Sequence, residues 1–221
     1  MKPAAALPDG PSARRAPAVA EVNLVIPELI ADLTGGAEGG GPARREVALD
    51  LLRRHLGSIQ ESVQAAFEAR QLSGLAAARW LAALSDGLMQ AIHAYAQAMV
   101  PAGAGASAAE EEPPFALVAT GGYGRGVLAP FSDIDLLFLT DGTAGPRSQR
   151  LVEFVLYLLW DLGLKVGHAT RSVRECMAEA GRDTSVLTAL VDARFLVGER
   201  AVFDRFRDTV DRTRRERGLG P

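Results

Sequence analysis

A chain of 221 residues with 48% hydrophobic residues can bury an ordinary core, and 24 basic against 27 acidic groups leave a net charge of −3. That balance gives no electrostatic ground for nonspecific nucleic-acid or membrane binding, so specificity has to reside in local features. The single cysteine, Cys176, excludes an internal disulfide and a cysteine metal cluster and fits a reducing cytoplasm.

Residues 1–43 read as a flexible amino-terminal segment. Its first twenty residues lack the apolar run of a signal peptide, and residues 35–42 (GGAEGGGP) cannot easily hold regular structure. Between them, the apolar stretch Val22–Leu33 either docks onto the core or forms a short helix. Over residues 44–100 the period becomes helical: Val47, Leu51, Leu52, Leu56, Ile59, Val63 and Phe67 mark one helix from Arg44 to Arg70, and a second runs from Leu75 to Met99. The break at Leu72-Ser73-Gly74 folds the two into an antiparallel hairpin. His55 and His93 lie on these helices without a ligand-spaced partner and read as packing or surface residues. No run approaches the length of a membrane span.

Residues 101–114 (PAGAGASAAEEEPP) form a linker whose acidic triplet, Glu110–Glu112, is solvated. Residues 115–215 are the core of the domain. Phe115–Thr120 and Ile134–Leu139 read as buried strands, Arg150–Leu162 as a helix, Leu164–Thr170 as a third strand, and the remainder to about Arg215 as helices. The fold class is α+β, a small sheet with flanking helices behind a helical hairpin.

Chemistry concentrates between the first two strands, in Gly121-Gly122-Tyr123-Gly124-Arg125-Gly126 and Ser132-Asp133-Ile134-Asp135. Glycines just after a strand let backbone N–H groups approach a phosphate, because no Cβ intervenes and positive φ is open to them. Asp133 and Asp135 are one residue apart, so on an extended strand both project to one face, while Ile134 and Leu136 face the core. Two carboxylates held together repel unless a cation sits between them, and a hard divalent ion such as Mg²⁺ satisfies both and also binds nucleotide phosphates. The glycine pattern has no Gly-Lys-Ser/Thr ending and opens no long helix followed by a distant acidic residue, which argues against P-loop and Rossmann readings.

The string GGYGRGVLAPFSDIDLLFL resembles the signature of the DNA polymerase beta-type nucleotidyltransferases. More narrowly, roughly Arg44 to Arg207 is similar to the amino-terminal domain of the bacterial PII uridylyltransferases. That resemblance implies a polymerase beta-like fold and transfer of UMP from UTP to a tyrosine of the PII signal protein, with release of pyrophosphate. It implies Asp133 and Asp135 as catalytic metal ligands for Mg²⁺, and Gly121, Gly122, Arg125 and Ser132 as nucleotide contacts. The third acidic residue usual in the superfamily is not evident: Lys165, Gly167 and His168 occupy the candidate positions, and His168 either helps bind nucleotide or serves the fold. The family is longer, with HD and ACT domains; no H…HD cluster or ACT-like continuation precedes Pro221, so uridylyl removal and glutamine sensing are expected to be absent from this chain. The alternatives are an adenylyltransferase or another protein nucleotidyltransferase, and a nucleotide-binding regulatory module without catalysis.

Overall fold

A computed structural model describes residues 19–35, 41–101 and 115–218, so the expected tail over 1–18 and most of the 101–114 linker lie outside the described residues. The chain runs α1 (Val19–Thr34), α2 (Arg45–Glu68), α3 (Gly74–Met99), β1 (Phe115–Ala119), α4 (Gly121–Gly124), β2 (Ile134–Thr140), α5 (Pro146–Asp161), β3 (Val166–Ser172), α6 (Val173–Arg182), α7 (Thr184–Val191), β4 (Arg194–Gly198) and α8 (Arg200–Glu216).

Four strands form one mixed sheet in the order β3-β2-β1-β4. β1 is antiparallel to both β2 and β4, whereas β2 and β3 are parallel, with Asp135 opposite Gly167 and Leu136 opposite His168. Alternation along the strands sends side chains into two cores. Phe115, Leu117, Ile134, Leu136 and Phe138 pack beneath α1, α2, α3 and α5. Ala116, Val118, Leu137 and Leu139 face the other way, against α6, α7 and α8 through Leu187, Leu190, Phe203 and Phe206. All five residues of β1 are buried, which is why FALVA shows no polar alternation.

The helical hairpin is α2 and α3, sharing Ile59, Val63, Ala77 and Leu84 along their length. Ser73 starts α3 by accepting a hydrogen bond from the Ala76 N–H at 3.2 Å, and at the far end the Tyr95 hydroxyl donates to the Ala43 carbonyl at 2.7 Å. The stretch Val22–Leu33, placed by sequence within a flexible segment, is most of α1: Ile26, Leu29 and Leu33 are buried on the hairpin. Close approach is possible because a Cβ on Gly87 of α3 would lie 2.7 Å from Ile26 Cδ1. His93 packs edge-on against Phe115, with ring centroids 5.7 Å apart, and burial lowers the pKa of both His93 and His55.

Three local differences from the sequence reading have physical causes. β4 interrupts the stretch expected to be helical, because the aromatic and β-branched run Arg194-Phe-Leu-Val finds the free edge of β1. The third strand begins two residues later than expected, since the Leu164 N–H still donates to Leu159 O and closes the end of α5. The glycine-rich turn is itself one turn of helix, α4, a regularity the sequence reading did not state.

Candidate active site

The candidate carboxylates and glycines meet where β1 leaves the sheet and β2 enters it. β1 ends at Ala119, and the Thr120 N–H donates to Asp135 O at 3.0 Å, which docks the start of the glycine turn onto the carboxylate strand. Gly121 then takes φ +59, a left-handed conformation that disfavours any residue with a Cβ. A Cβ there would stand 2.6 Å from Asp135 Oδ2. On the other side, a Cβ on Gly167 of β3 would stand 2.5 Å from Asp135 Oδ1. The carboxylate therefore lies between two glycines, Gly167 set opposite it by the parallel register and Gly121 by the turn after β1, and among the described residues it accepts no hydrogen bond.

Asp133 is exposed just before β2, and Asp135 is half-buried. Burial raises the Asp135 pKa above the ordinary carboxylate range, and the neighbouring charge of Asp133 adds to the rise. Both effects disfavour the ionised form and both are relieved by a bound cation. These two carboxylates could hold a divalent ion, with its other positions left for phosphate oxygens and water. Among the described residues there is no group of three or more His, Cys, Asp and Glu side chains able to hold a metal. The register gives the reason: the β3 residues on the Asp135 face are Gly167, Ala169 and Arg171, none of them an acid.

The other sequence candidates separate. Gly122 sits at the start of α4, where the first amide groups of a helical turn have no intrahelical acceptor. Ser132 is exposed, and its N–H donates to Ala129 O at 3.1 Å. Arg125 turns outward and donates from Nη1 to Asp192 Oδ2, at the end of α7, at 2.8 Å. His168 pairs in register with Leu136 and lies edge-on to Trp160 of α5, ring centroids 6.1 Å apart, on the sheet face opposite Asp135. Its ring faces away from Asp135, although the residue borders the same cleft.

Sequence reasoning missed the residues that hold the turn. Arg194 of β4 donates to both carboxylate oxygens of Asp86 on α3, at 2.5 and 3.0 Å, and to the Tyr123 carbonyl at 3.2 Å. Its guanidinium also lies over the Tyr123 ring, 5.4 Å from the centroid. Tyr123 is buried, and burial together with the Asp86 charge pushes its phenol far above the ordinary range. On the opposite side, Gly124 packs against the Asp192 carbonyl. The turn is thus gripped by the hairpin, β4 and the end of α7.

A cleft of about 240 Å³ opens beside Asp135, floored by Gly167, Ala169 and Arg171 and walled by Val186 and Leu190 of α7. A larger depression of about 510 Å³ lies at the α2–α3 turn, around Phe67–Ser73, on elements that carry none of the carboxylates.

Residues 107–189, which include the strand–glycine turn–strand unit that presents Asp133 and Asp135, match the family model described as "Nucleotidyltransferase domain". The chain carries a nucleotidyltransferase domain. It is 48% identical over 169 residues to a bifunctional uridylyltransferase/uridylyl-removing enzyme of Gluconobacter oxydans, an alignment covering 75% of this chain and 17% of that relative. Proteins of the same name from Azospirillum brasilense and Rhodospirillum rubrum are 42% and 36% identical, over 79% and 82% of this chain and 18% and 19% of theirs. The chain thus spans under a fifth of the length of these curated relatives. The family match covers residues 107–189, so the Arg125–Asp192 pair has one partner beyond it and the Asp86–Arg194 pair lies wholly outside it. Among the described residues, no helix is long and apolar enough to cross a membrane.

Proposed function

We propose that this domain transfers UMP from UTP to a tyrosine hydroxyl of a PII-type signal protein in the cytoplasm, releasing pyrophosphate, with Mg²⁺ held by Asp133 and Asp135. The observation that carries the reading is the Asp135 carboxylate, fixed between Gly121 and Gly167 and raised in pKa by burial and by Asp133. The uridylyl group is the one in the names of the relatives, and the PII acceptor follows from the resemblance of Arg44 to Arg207 to the PII uridylyltransferases.

The acceptor oxygen attacks the α-phosphorus, the bond from that phosphorus to the bridging oxygen breaks, pyrophosphate departs, and the tyrosine proton passes to water. When bound, Mg²⁺ supplies charge neutralisation at the phosphate oxygens. The chain's own part is positioning. The amides of Gly121 and Gly122 offer donors to phosphate oxygens without side chains in the way. Asp135 lies close against both glycines, where a side chain at either would displace it, and positioning of this kind supplies much of the barrier reduction in phosphoryl transfer. Ser132, exposed beside Asp133, is within the same rim as an additional phosphate contact.

The test is incubation with purified PII protein, Mg²⁺ and each nucleoside triphosphate in turn, followed by intact-mass measurement of the acceptor. A gain of one UMP from UTP alone supports the reading; a gain of AMP from ATP establishes an adenylyltransferase instead. The lack of a third carboxylate beside Asp133 and Asp135 among the described residues favours a second reading, a nucleotide-binding module without catalysis. Calorimetric binding of Mg-UTP with no pyrophosphate release across acceptors would establish it.

A further inference from the structure

Arg171 is a half-buried guanidinium that makes no hydrogen bond or ion pair among the described residues. Among its neighbours is Glu175, whose carboxylate feels Arg171 only through space. That carboxylate accepts from the Ser172 N–H and hydroxyl, both at 2.8 Å, in the capping box that starts α6. The five donors of the guanidinium are therefore unspent, and Arg171 lines the same cleft as Asp135.

Arg171 follows Gly167, the register partner of Asp135, by four residues, about 13 Å along the strand at a strand's rise per residue. Between Asp135 and Arg171 the floor is Gly167 and Ala169, with Thr120, Leu137 and His168 also on the lining and the apolar side chains Val186 and Leu190 opposite. Phosphates are poorly served by such walls, because their charge would lose water without gaining donors. A flat ring is well served. The amides suited to phosphate are at Gly121 and Gly122, on the opposite flank of the Asp135 carboxylate from Gly167. A nucleotide with its phosphates at the glycine turn extends its nucleoside past Asp135 into the cleft, and the far edge of the base meets Arg171.

We propose that the cleft between β3 and α7 is the nucleobase subsite and that Arg171 determines base specificity, selecting a keto pyrimidine over an amino base. This rests on the reading of the carboxylate pair and glycine turn as a nucleoside triphosphate site. Arginine offers donors and no acceptor. At the edge position where uracil presents the O4 acceptor, cytosine presents an N4 amino group and adenine an N6 amino group, so there the keto base accepts from Arg171 and the amino bases face it donor to donor. Guanine also has a keto acceptor, so Arg171 discriminates against the amino bases alone.

The test is calorimetric binding of UTP, CTP and pyrophosphate, with Mg²⁺, to the wild type, Arg171→Gln and Arg171→Lys. The wild type is expected to bind UTP roughly tenfold more tightly than CTP, the factor typical of one hydrogen bond from a charged donor. Arg171→Gln, whose amide can both donate and accept, brings the two affinities together by weakening UTP, and leaves pyrophosphate binding unchanged. Arg171→Lys keeps a preference for UTP. Equal binding of UTP and CTP by the wild type, or an unchanged ratio in Arg171→Gln, overturns the assignment while the triphosphate site stands. Parallel loss of UTP and pyrophosphate binding in Arg171→Gln would make Arg171 a phosphate contact instead. A wild type that binds none of the three overturns the triphosphate reading itself, and this inference with it.

Discussion

Replacing Asp135 by Asn should stabilise the metal-free protein while removing its catalysis. The carboxylate pair is two residues apart on extended backbone, roughly 7 Å. At an effective dielectric between that of water and that of a protein surface, two charges at this separation repel by about 0.6 to 2.4 kcal/mol. Asp133 is exposed, so the lower part of that range applies and about 1 kcal/mol is a fair figure. For a chain of this size, that corresponds to a rise in Tm of about 2–4 °C. The sign follows from the raised pKa of Asp135. A carboxyl whose pKa is higher in the folded than in the unfolded state destabilises the fold wherever it is ionised, and the penalty is relieved as pH falls through the folded value. The gap between Asp135→Asn and wild type should therefore be present at neutral pH in EDTA, narrow on acidification and shrink in high salt. Mg²⁺ should raise the Tm of the wild type and leave that of the variant unmoved. Thermal denaturation by calorimetry across pH, with and without Mg²⁺, reads all of these. A variant no more stable than wild type at neutral pH would refute the claim that the pair is held under repulsion.

Gly167→Ala places a methyl group 2.5 Å from Asp135 Oδ1 and should lower nucleotidyl transfer by at least roughly tenfold with little change in Tm, measured by initial rates beside thermal melts. Asp86→Ala strands the Arg194 guanidinium and loosens the glycine turn, costing about 2 kcal/mol, read as a lower urea midpoint at constant slope. Phe131, 90% exposed with φ 63, sits in a left-handed conformation unsuited to a bulky residue, so Phe131→Gly should raise stability by about 1 kcal/mol in the same urea assay.

What the sequence made legible was local. The period change at Phe115, the buried strand Ile134–Leu139 and the Asp133–Asp135 pair each depend on residues within a few positions of one another, and all three appear in the fold. β4 was not legible because five residues between two helices carry too little periodicity to stand out, and its pairing depends on an edge of β1 that only the fold creates. The Asp86–Arg194–Tyr123 cluster draws on α3, β4 and α4, and in a chain whose basic residues are almost all arginine nothing marks Arg194 among them. His168 and Gly167 are adjacent in sequence but on opposite faces of β3, so separating their roles required the register.

Most well-ordered carboxylates are held by hydrogen bonds that a ligand must break or share on arrival. Asp135 is held by walls instead, the bare Cα atoms of Gly121 and Gly167. Its orientation is settled during folding, yet the lone pairs of both oxygens remain uncommitted among the described residues. An arriving cation therefore displaces only water from this side chain and finds it already aimed.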